Sequence, residues 1–235
     1  MTKKVGFYGL ISFFALAVII FAFTVHAQTS LNQGQSQLVI TWHASRSYIP
    51  PSYLGKALPN QSSQVTASVE AFTGGARGDL SKVTVYWYLN DVLLGGGPGV
   101  RSMTFNLFGG GGSQDLRVQA TDYPAGLLTT SVSIPSVDPI VVIEAPYAGG
   151  FFNTNPLLVN AVPYFFNITS GSQLGFTWTV NDQTGSNTEN PDQLQVTLPP
   201  GIQNGSTLSI LLAATNAADG MSASDQKMLT YHALP

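Results

Sequence analysis

The three histidines are the residues of this sequence best suited to catalysis or metal binding, and their positions favour neither. His26, His43 and His232 are far apart in the chain, and no two of them have the spacing of metal ligands. The sequence has no cysteine, so a thiol nucleophile, a Cys-ligated zinc and a disulfide framework are excluded. Neither Gly-x-Ser-x-Gly nor His-Glu-x-x-His occurs. We therefore expect no catalytic residue, no metal and no cofactor.

The carboxylates are also poorly placed for hydrolysis. Glycosidase chemistry needs two carboxylates that face each other across a cleft. Most acidic residues of this chain instead stand in turn segments, where a side chain can bond its own backbone, such as Asp122, Asp138 and Asp182. The sequence predicts a protein that is not an enzyme, and a hydrolase would require a pocket with two facing carboxylates.

One short motif occurs twice and offers oxygen ligands. Residues 87–91 (Trp-Tyr-Leu-Asn-Asp) match residues 178–182 (Trp-Thr-Val-Asn-Asp). An Asn-Asp pair could serve a calcium ion, but calcium takes six to eight oxygens and only two recur here. Asn and Asp also tolerate the left-handed conformation and bond their own backbone in turns. We favour the turn, with Trp87 and Trp178 pointing inward as structural core residues.

Arg77, Gly78 and Asp79 form the tripeptide that many integrins recognise. It follows a Gly-rich segment between two predicted strands, so it could be exposed. Short motifs have a high false-positive rate, and a Gly-rich turn with one Arg and one Asp produces this triplet by accident. We favour the accidental interpretation and keep the three residues as a possible partner contact.

Residues 47–53 (Ser-Tyr-Ile-Pro-Pro-Ser-Tyr) form an aromatic segment that is rich in proline. An exposed Tyr on a restrained backbone loses little entropy on binding, so Tyr48 and Tyr53 could contact a glycan or a protein. The alternative is an edge strand that proline kinks as it crosses between sheets. We favour the kinked edge strand, because β-sandwiches need protected edges.

The charge pattern argues against a nucleic-acid partner. Only 9% of the 235 residues are charged and the formal net charge is −3, whereas an ordinary soluble domain has roughly 25% charged residues. A nucleic-acid interface needs clustered cations. Beyond the first few residues the cations are scattered along the chain, at Arg46, Lys56, Arg77, Lys82, Arg101, Arg117 and Lys227.

Residues 1–27 have the pattern of an export signal. Lys3 and Lys4 precede an uncharged apolar run over residues 5–25, and Val-His-Ala at 25–27 supplies a cleavage site before a polar linker at 28–36. The run is also long enough to span a bilayer as an uncleaved anchor helix. Both alternatives leave the lysines in the cytoplasm and the rest of the chain outside.

The remaining sequence predicts an all-β body. Short β-rich runs with apolar residues at alternate positions are separated by turn segments, as in sandwiches of two sheets. The runs are residues 37–42, 64–71, 82–89, 102–108, 115–121, 128–134, 140–144, 157–168, 174–180, 193–198, 207–214 and 227–231. The Gly-rich segments 95–99 and 109–112 are expected as hairpin loops flanking 102–108.

Because positions 87 and 178 are 91 residues apart, the motif repeats at about the length of one sandwich domain. We predict two tandem immunoglobulin-like β-sandwiches, residues 37–138 and 139–235, preceded by the hydrophobic helix. The two prolines of residues 135–139 stiffen the linker between them.

The apolar strand, the Trp-x-x-Asn-Asp turn and the later alternating strand resemble the PKD and related bacterial immunoglobulin-like domains. The resemblance covers residues 37–138 well and 139–235 less well, and the Gly that usually follows the acidic turn residue is missing from both copies. It implies β-sandwiches of exported cell-surface proteins that act as spacers or adhesive modules.

These observations together predict a bacterial, non-enzymatic protein on the outer face of the cytoplasmic membrane, in the periplasm or on the cell surface. Its role would be a structural spacer or protein-interaction module that contacts envelope or appendage proteins. The membrane would be a further partner if the helix is retained. The alternative is an adhesin or carbohydrate-binding module that uses the Tyr residues or the Gly-rich loops.

Overall fold

A computed structural model describes residues 34–61, 63–108, 112–185 and 189–233 of the chain. The predicted leader and its hydrophobic helix lie outside the described residues. No helix in the described ranges is long and apolar enough to cross a membrane.

The described residues contain sixteen strands, two short 3-10 segments and no α-helix, so the all-β prediction is confirmed. The first eight strands are β1 (Ser36–Ala44), β2 (Gln64–Thr73), β3 (Ala76–Gly78), β4 (Thr84–Leu89), β5 (Val92–Pro98), β6 (Ser102–Asn106), β7 (Gly112–Ala120) and β8 (Leu128–Ser136). The others are β9 (Ile140–Glu144), β10 (Phe151–Phe152), β11 (Leu157–Tyr164), β12 (Gly175–Val180), β13 (Gln183–Gly185), β14 (Gln193–Val196), β15 (Thr207–Thr215) and β16 (Ser222–Tyr231). The 3-10 segments are Ala148–Gly150 and Gly171–Gln173.

The strands before residue 137 form a first sandwich. In one sheet β2 pairs with β1 along one edge and with β3 and β6 along the other. The facing sheet has the order β5-β4-β7-β8. Alternate residues of β2, β4 and β7 are buried between the sheets, which is the pattern that the alternation in the sequence predicts.

The strands from residue 140 onward form a second sandwich with the same plan. Its sheets have the orders β14-β11-β9 and β10-β16-β15-β12-β13, and the short strand β10 runs parallel to β16. With the short strands β3 and β10 left out, each sandwich has seven strands. In both sandwiches the first, second and fifth of these form one sheet, and the other four form the facing sheet. The immunoglobulin-like β-sandwich prediction is confirmed by this arrangement.

Each sandwich has its own hydrophobic core. The first core contains buried residues between Leu38 and Ile134, with Trp87 at 0% exposure. The second contains buried residues between Val141 and Leu229, with Trp178 at 1% exposure. The last strand of the first sandwich ends at Ser136 and the second sandwich begins with β9.

The Gly-rich segment at residues 95–99 was expected to be a hairpin loop, and this expectation is wrong. Residues 95–98 belong to β5, which pairs with β4 through a register shift next to Trp87. A Cβ on Gly96 would lie 2.4 Å from the backbone oxygen of Val85, so the strand fits only without a side chain there. The other Gly cluster is described only at Gly112, which begins β7.

Two charged side chains join the sheets of the second sandwich. The Asp225 carboxylate accepts a hydrogen bond from the Ile143 N–H (2.7 Å), and the Lys227 ammonium donates to the Ile143 oxygen (2.8 Å). Ile143 lies in β9 of one sheet, whereas Asp225 and Lys227 lie in β16 of the other. These side chains satisfy backbone groups on the edge of β9 that β11 does not reach.

Candidate interaction site at the joint between the sandwiches

The two tryptophans occupy equivalent places and make equivalent hydrogen bonds. The Trp87 indole N–H donates to the Val100 oxygen, and the Trp178 indole N–H donates to the Pro191 oxygen, both at 3.0 Å. Each acceptor lies thirteen residues after its tryptophan. A buried indole needs a partner for its N–H, and both copies find it in the chain that leads to the next main strand.

The Asn-Asp pairs are turns in both copies. Asn90 and Asp91 have φ of 48° and 64°, and Asn181 and Asp182 have 46° and 66°. Two consecutive positive φ values are typical of the type I′ turn that closes a two-residue hairpin. The Asn90 side-chain oxygen accepts from the Asp115 N–H, and the Asn181 oxygen accepts from Ser209, both at 2.9 Å. No group of three or more His, Asp or Glu side chains suited to a metal occurs among the described residues.

The Arg-Gly-Asp tripeptide begins in β3 and ends just after it. Arg77 forms a 2.6 Å ion pair with Glu70, and Gly78 lies against the Tyr123 hydroxyl. The Asp79 carboxylate accepts hydrogen bonds from the Ser81 N–H (2.8 Å) and hydroxyl (2.9 Å), which lower the pKa of this exposed carboxyl. Both charged side chains thus have partners within the chain, and recognition by an adhesion receptor stays a prediction.

The segment at residues 45–60, here called the strap, connects β1 to β2 and crosses to the second sandwich. Tyr48 N–H donates to the Phe166 oxygen (2.8 Å), and Phe165 N–H donates to the Tyr48 oxygen (2.6 Å). Ser47 forms a β-bridge with Asn167 beside them. The strap therefore adds a short antiparallel pairing to the second sandwich, and Tyr48 packs against the second core.

Asn60 closes the far end of the strap. Its side chain is fully buried, and its Nδ2 donates to the Phe165 oxygen at 2.7 Å. Its Oδ1 accepts from the Ser63 hydroxyl (3.2 Å), which in turn accepts from the Asn60 N–H (3.0 Å). One amide thus connects the start of β2 with the second sandwich. The Val137 N–H, just after β8, donates a further hydrogen bond to the Pro59 oxygen (3.0 Å).

Phe165 is the residue of the second sandwich that receives most of these contacts. Its N–H and its oxygen both bond to the strap, and its φ is 60°. A bulky residue rarely adopts a positive φ, and such a conformation costs about 1–3 kcal/mol. The positive φ of Phe165 ends β11 at Tyr164, so the strand is shorter than the predicted run over residues 157–168. The surrounding contacts hold this conformation in place.

Aromatic rings fill the space beside these hydrogen bonds. The Tyr53 ring meets Tyr164 edge-on at 5.6 Å between centroids and Phe165 at 5.8 Å. Edge-to-face pairs of this kind contribute about 0.5–1.5 kcal/mol beyond the area they bury. Tyr48 and Tyr53, which the sequence marked as possible ligand contacts, are both half-buried here against the second sandwich. Contact of either side chain with a glycan or partner stays a prediction.

Lys56 and Trp42 hold the middle of the strap against the first sandwich. The Lys56 ammonium lies 3.1 Å from the centroid of the Trp42 ring, a cation–π contact. Burial lowers the pKa of Lys56. The strap is thus attached to the first sandwich through Lys56 and to the second through Tyr48, Tyr53 and Asn60. We call this set of contacts the joint.

The sequence indicated an unusual segment at residues 47–53 but not its partner. Phe165 was not singled out, and Asn60 was noticed only as part of an Asn-x-Ser glycosylation pattern, which has no weight in a sequence of bacterial type. Its complete burial excludes that role in the folded chain. No local signal marks Phe165, since its conformation depends on a segment more than a hundred positions away.

No protein-family model matches the sequence, and no curated protein matches it. Similar solved structures include fibronectin(III)-like modules of CbhA from Clostridium thermocellum, at 13% identity over 80% of this chain and 94% of that one, with a TM-score of 0.30. Three N-terminal domains of the Hoc outer capsid protein of bacteriophage RB49 match at 10% identity over 85% and 71%, with a TM-score of 0.31. Sidekick-1 immunoglobulin domains 1–4 match at 10% over 85% and 70%, with a TM-score of 0.27.

Proposed function

We propose that this chain is a non-enzymatic, exported or membrane-anchored surface protein in which two sandwiches act together as a spacer and protein-interaction module. The joint is the observation that supports the spacer role most directly. A flexible linker would let the sandwiches rotate independently, whereas main-chain pairing, a buried amide and edge-to-face ring pairs each resist such motion. The partners would be other proteins of the cell envelope or its appendages.

Export is supported by the leader. Two lysines before a long uncharged apolar run direct the following chain to the outer side of the membrane. Mass spectrometry of the exported protein tests this placement. A mature start at Gln28 indicates cleavage, an intact residue 1–27 region indicates an anchor helix, and a protein retained in the cytoplasm would contradict the proposal.

A distance measurement between the sandwiches tests the spacer role. The chain has no native cysteine, so Thr129→Cys with Ser224→Cys places one spin label on an exposed position of each sandwich. We expect a single narrow distance distribution by pulsed electron spin resonance. A broad distribution in otherwise unaltered protein would contradict a fixed joint.

The joint contacts should be the cause of that narrow distribution. Tyr53→Ala with Asn60→Ala, in the same labelled protein, removes the ring pairs and the amide, and we expect the distribution to broaden. Asn106→Ala is the matched control, because Asn106 is exposed at the end of β6. Broadening by the control as well would point to general unfolding and not to the joint.

A further inference from the structure

Two tyrosines stand at alternate positions on the outer face of the first sandwich. Val85, Trp87 and Leu89 of β4 are buried in the core, so Tyr86 and Tyr88 point away from it, and both are half-buried. Two residues of a strand span about 7 Å. The outer face of β4 therefore presents two aromatic rings at a spacing that the strand fixes.

The Tyr86 ring lies against a neighbouring strand that has no side chain at that point. Tyr86 is directly opposite Gly96 of β5, and a Cβ on Gly96 would lie 2.6 Å from the Tyr86 Cδ1 atom, so any larger residue would displace the ring. On its other side Tyr86 is opposite Gln119 of β7, which in turn is opposite Thr129 of β8. The ring thus has a glycine on one side and an amide and a hydroxyl on the other.

Charged groups flank Tyr88, the second ring. The Arg117 guanidinium lies 4.1 Å from the centroid of the Tyr88 ring and forms a 2.9 Å ion pair with Asp91, whose side chain is 87% exposed. Carboxylates accept hydrogen bonds and a guanidinium donates them, so a ligand with hydroxyl groups finds both kinds of partner beside this ring. A cavity of about 380 Å³ at this place is lined by Asn90, Asp91, Asp115, Arg117 and Ser131.

The second sandwich has the same plan without these rings. When the two core tryptophans are aligned, Tyr86 corresponds to Thr177 and Tyr88 to Thr179. The residue opposite Thr179 is Leu211, where the first sandwich has an arginine. A requirement of the shared fold therefore does not account for the two tyrosines and the arginine, which are a property of the first sandwich alone.

We propose that this face of the first sandwich binds a neutral oligosaccharide of pyranose rings. A pyranose with equatorial hydroxyls presents a face of C–H bonds, whose partial positive charge is attracted to the negative face of an aromatic ring. Its hydroxyls lie at the rim of the sugar ring, where Gln119, Asp91 and Arg117 can bond them. An anionic sugar would meet the carboxylates of Asp91 and Asp115, and like charges repel. This site goes beyond the spacer role, which depends on the joint alone.

Titration of the full chain with cellohexaose, a neutral hexamer with equatorial hydroxyls, tests the proposal. We expect saturable shifts in nuclear magnetic resonance spectra at residues 84–88 and 117–119. Residues 175–180, the equivalent strand of the second sandwich, are an internal control and should not shift. No shift at millimolar cellohexaose, or equal shifts in the two strands, would overturn the proposal.

A charged hexamer of the same shape tests the preference for a neutral sugar. A hexamer of β-1,4-linked glucuronic acid keeps the equatorial hydroxyls and adds a carboxylate to each unit. We expect it to bind at least about tenfold more weakly than cellohexaose, equivalent to 1.4 kcal/mol. Equal binding of the two hexamers would overturn the assignment of a neutral ligand.

Substitution of both tyrosines locates the binding. Tyr86→Thr with Tyr88→Thr gives the first sandwich the residues that the second has at these positions, and we expect at least about tenfold weaker binding of cellohexaose. Tyr86→Phe with Tyr88→Phe keeps both rings and should keep most of the affinity. Thr177→Ser with Thr179→Ser on the second sandwich is the matched control and should bind as the unaltered protein does. Equal losses in the Phe and Thr variants would overturn stacking on the rings.

Tyr86→Leu separates ring stacking from general hydrophobic contact. Leucine keeps an apolar side chain beside Gly96 but has no aromatic face, so cellohexaose should bind at least about tenfold more weakly to this variant. A thermal melt checks that the fold is kept. Affinity that survives in Tyr86→Leu would overturn the proposal, because a hydrophobic surface for a protein partner would then explain the binding as well. The distance test of the joint involves neither tyrosine, so failure of this proposal leaves the spacer role unaffected.

Discussion

The Asn60 Nδ2 atom and the Phe165 backbone oxygen are 2.7 Å apart across the joint, and their residues are 105 positions apart in the chain. The donor lies on a fully buried side chain, and the acceptor belongs to a residue in a strained conformation. A hydrogen bond between two such groups cannot be replaced by water without opening the joint. Stability of the strap and orientation of the two sandwiches are therefore coupled through this one contact.

Asn60→Asp should destabilise the protein at neutral pH and regain stability on acidification. The substitution keeps an oxygen for Ser63 but replaces the donor with a carboxylate oxygen facing the Phe165 oxygen. A buried, unpaired charge costs about 3 kcal/mol or more. Burial raises the pKa of the introduced carboxyl above its unfolded value, so the folded state binds the extra proton and stability is lost as pH rises through that window.

Urea unfolding of Asn60→Asp and the unaltered protein between pH 4 and pH 7 measures this effect. Asn106→Asp, at an exposed position, is the matched control and should show no such recovery. A loss of stability that is the same at both ends of the pH range would mean that the amide does not face a buried acceptor.

Trp87→Phe and Trp178→Phe should destabilise their sandwiches by similar amounts, about 1–3 kcal/mol each, since each leaves a buried backbone oxygen without its indole donor. Replacement by Ala should cost about 3–5 kcal/mol, because it also opens a cavity. Denaturant melts give both values. Trp42→Phe is the control, as that ring is only half-buried. If Trp178→Ala has no effect, the two copies are not equivalent.

The two Asn-Asp turns should respond to glycine at their second residue by different amounts. Asp182→Gly should stabilise the protein by up to about 1 kcal/mol, because glycine adopts the φ of 66° without strain. Asp91→Gly relieves the same strain but removes the 2.9 Å ion pair with Arg117, an exposed contact that contributes about 0–1 kcal/mol. The melts of the two variants should thus differ, with Asp182→Gly the more stable. The reverse order would rule out a contribution from the ion pair.

Lys227→Met should weaken the connection between the sheets of the second sandwich. It leaves the Ile143 oxygen without the donor that it has now, at a cost of about 1–3 kcal/mol. Amide exchange at Ile143 and its neighbours should accelerate, while β1 and β2 of the first sandwich should keep their exchange rates. Lys82→Met, at an exposed position, is the control. Unchanged amide exchange in β9 would show that the hydrogen bond from Ile143 N–H to Asp225 is enough to protect this edge strand.

Much of the fold was predictable because alternation of side chains is a local property of an extended chain. The runs around Val85, Val118 and Leu212 predicted strands with one buried face, and all three residues are fully buried. β5 was missed because its glycines resemble a turn segment, and only the approach of the β4 backbone shows why a strand needs them there.

The candidate site was less predictable than the fold. Tyr48 and Tyr53 were noticed for their type, and the proline-kinked strand was the preferred interpretation. Their position in the joint depends on Phe165 and Tyr164, which no pattern near residue 50 indicates.

The sequence by itself determined the all-β class, the repeat centred on Trp87 and Trp178 and the turns at the two Asn-Asp pairs. Each of these depends on residues close together in the chain, whose side-chain alternation and backbone preferences act locally. Only the tertiary structure decided that the strap joins the two sandwiches and that Phe165 takes a positive φ there. Those outcomes depend on which distant surfaces meet, and that property is not encoded in any short segment.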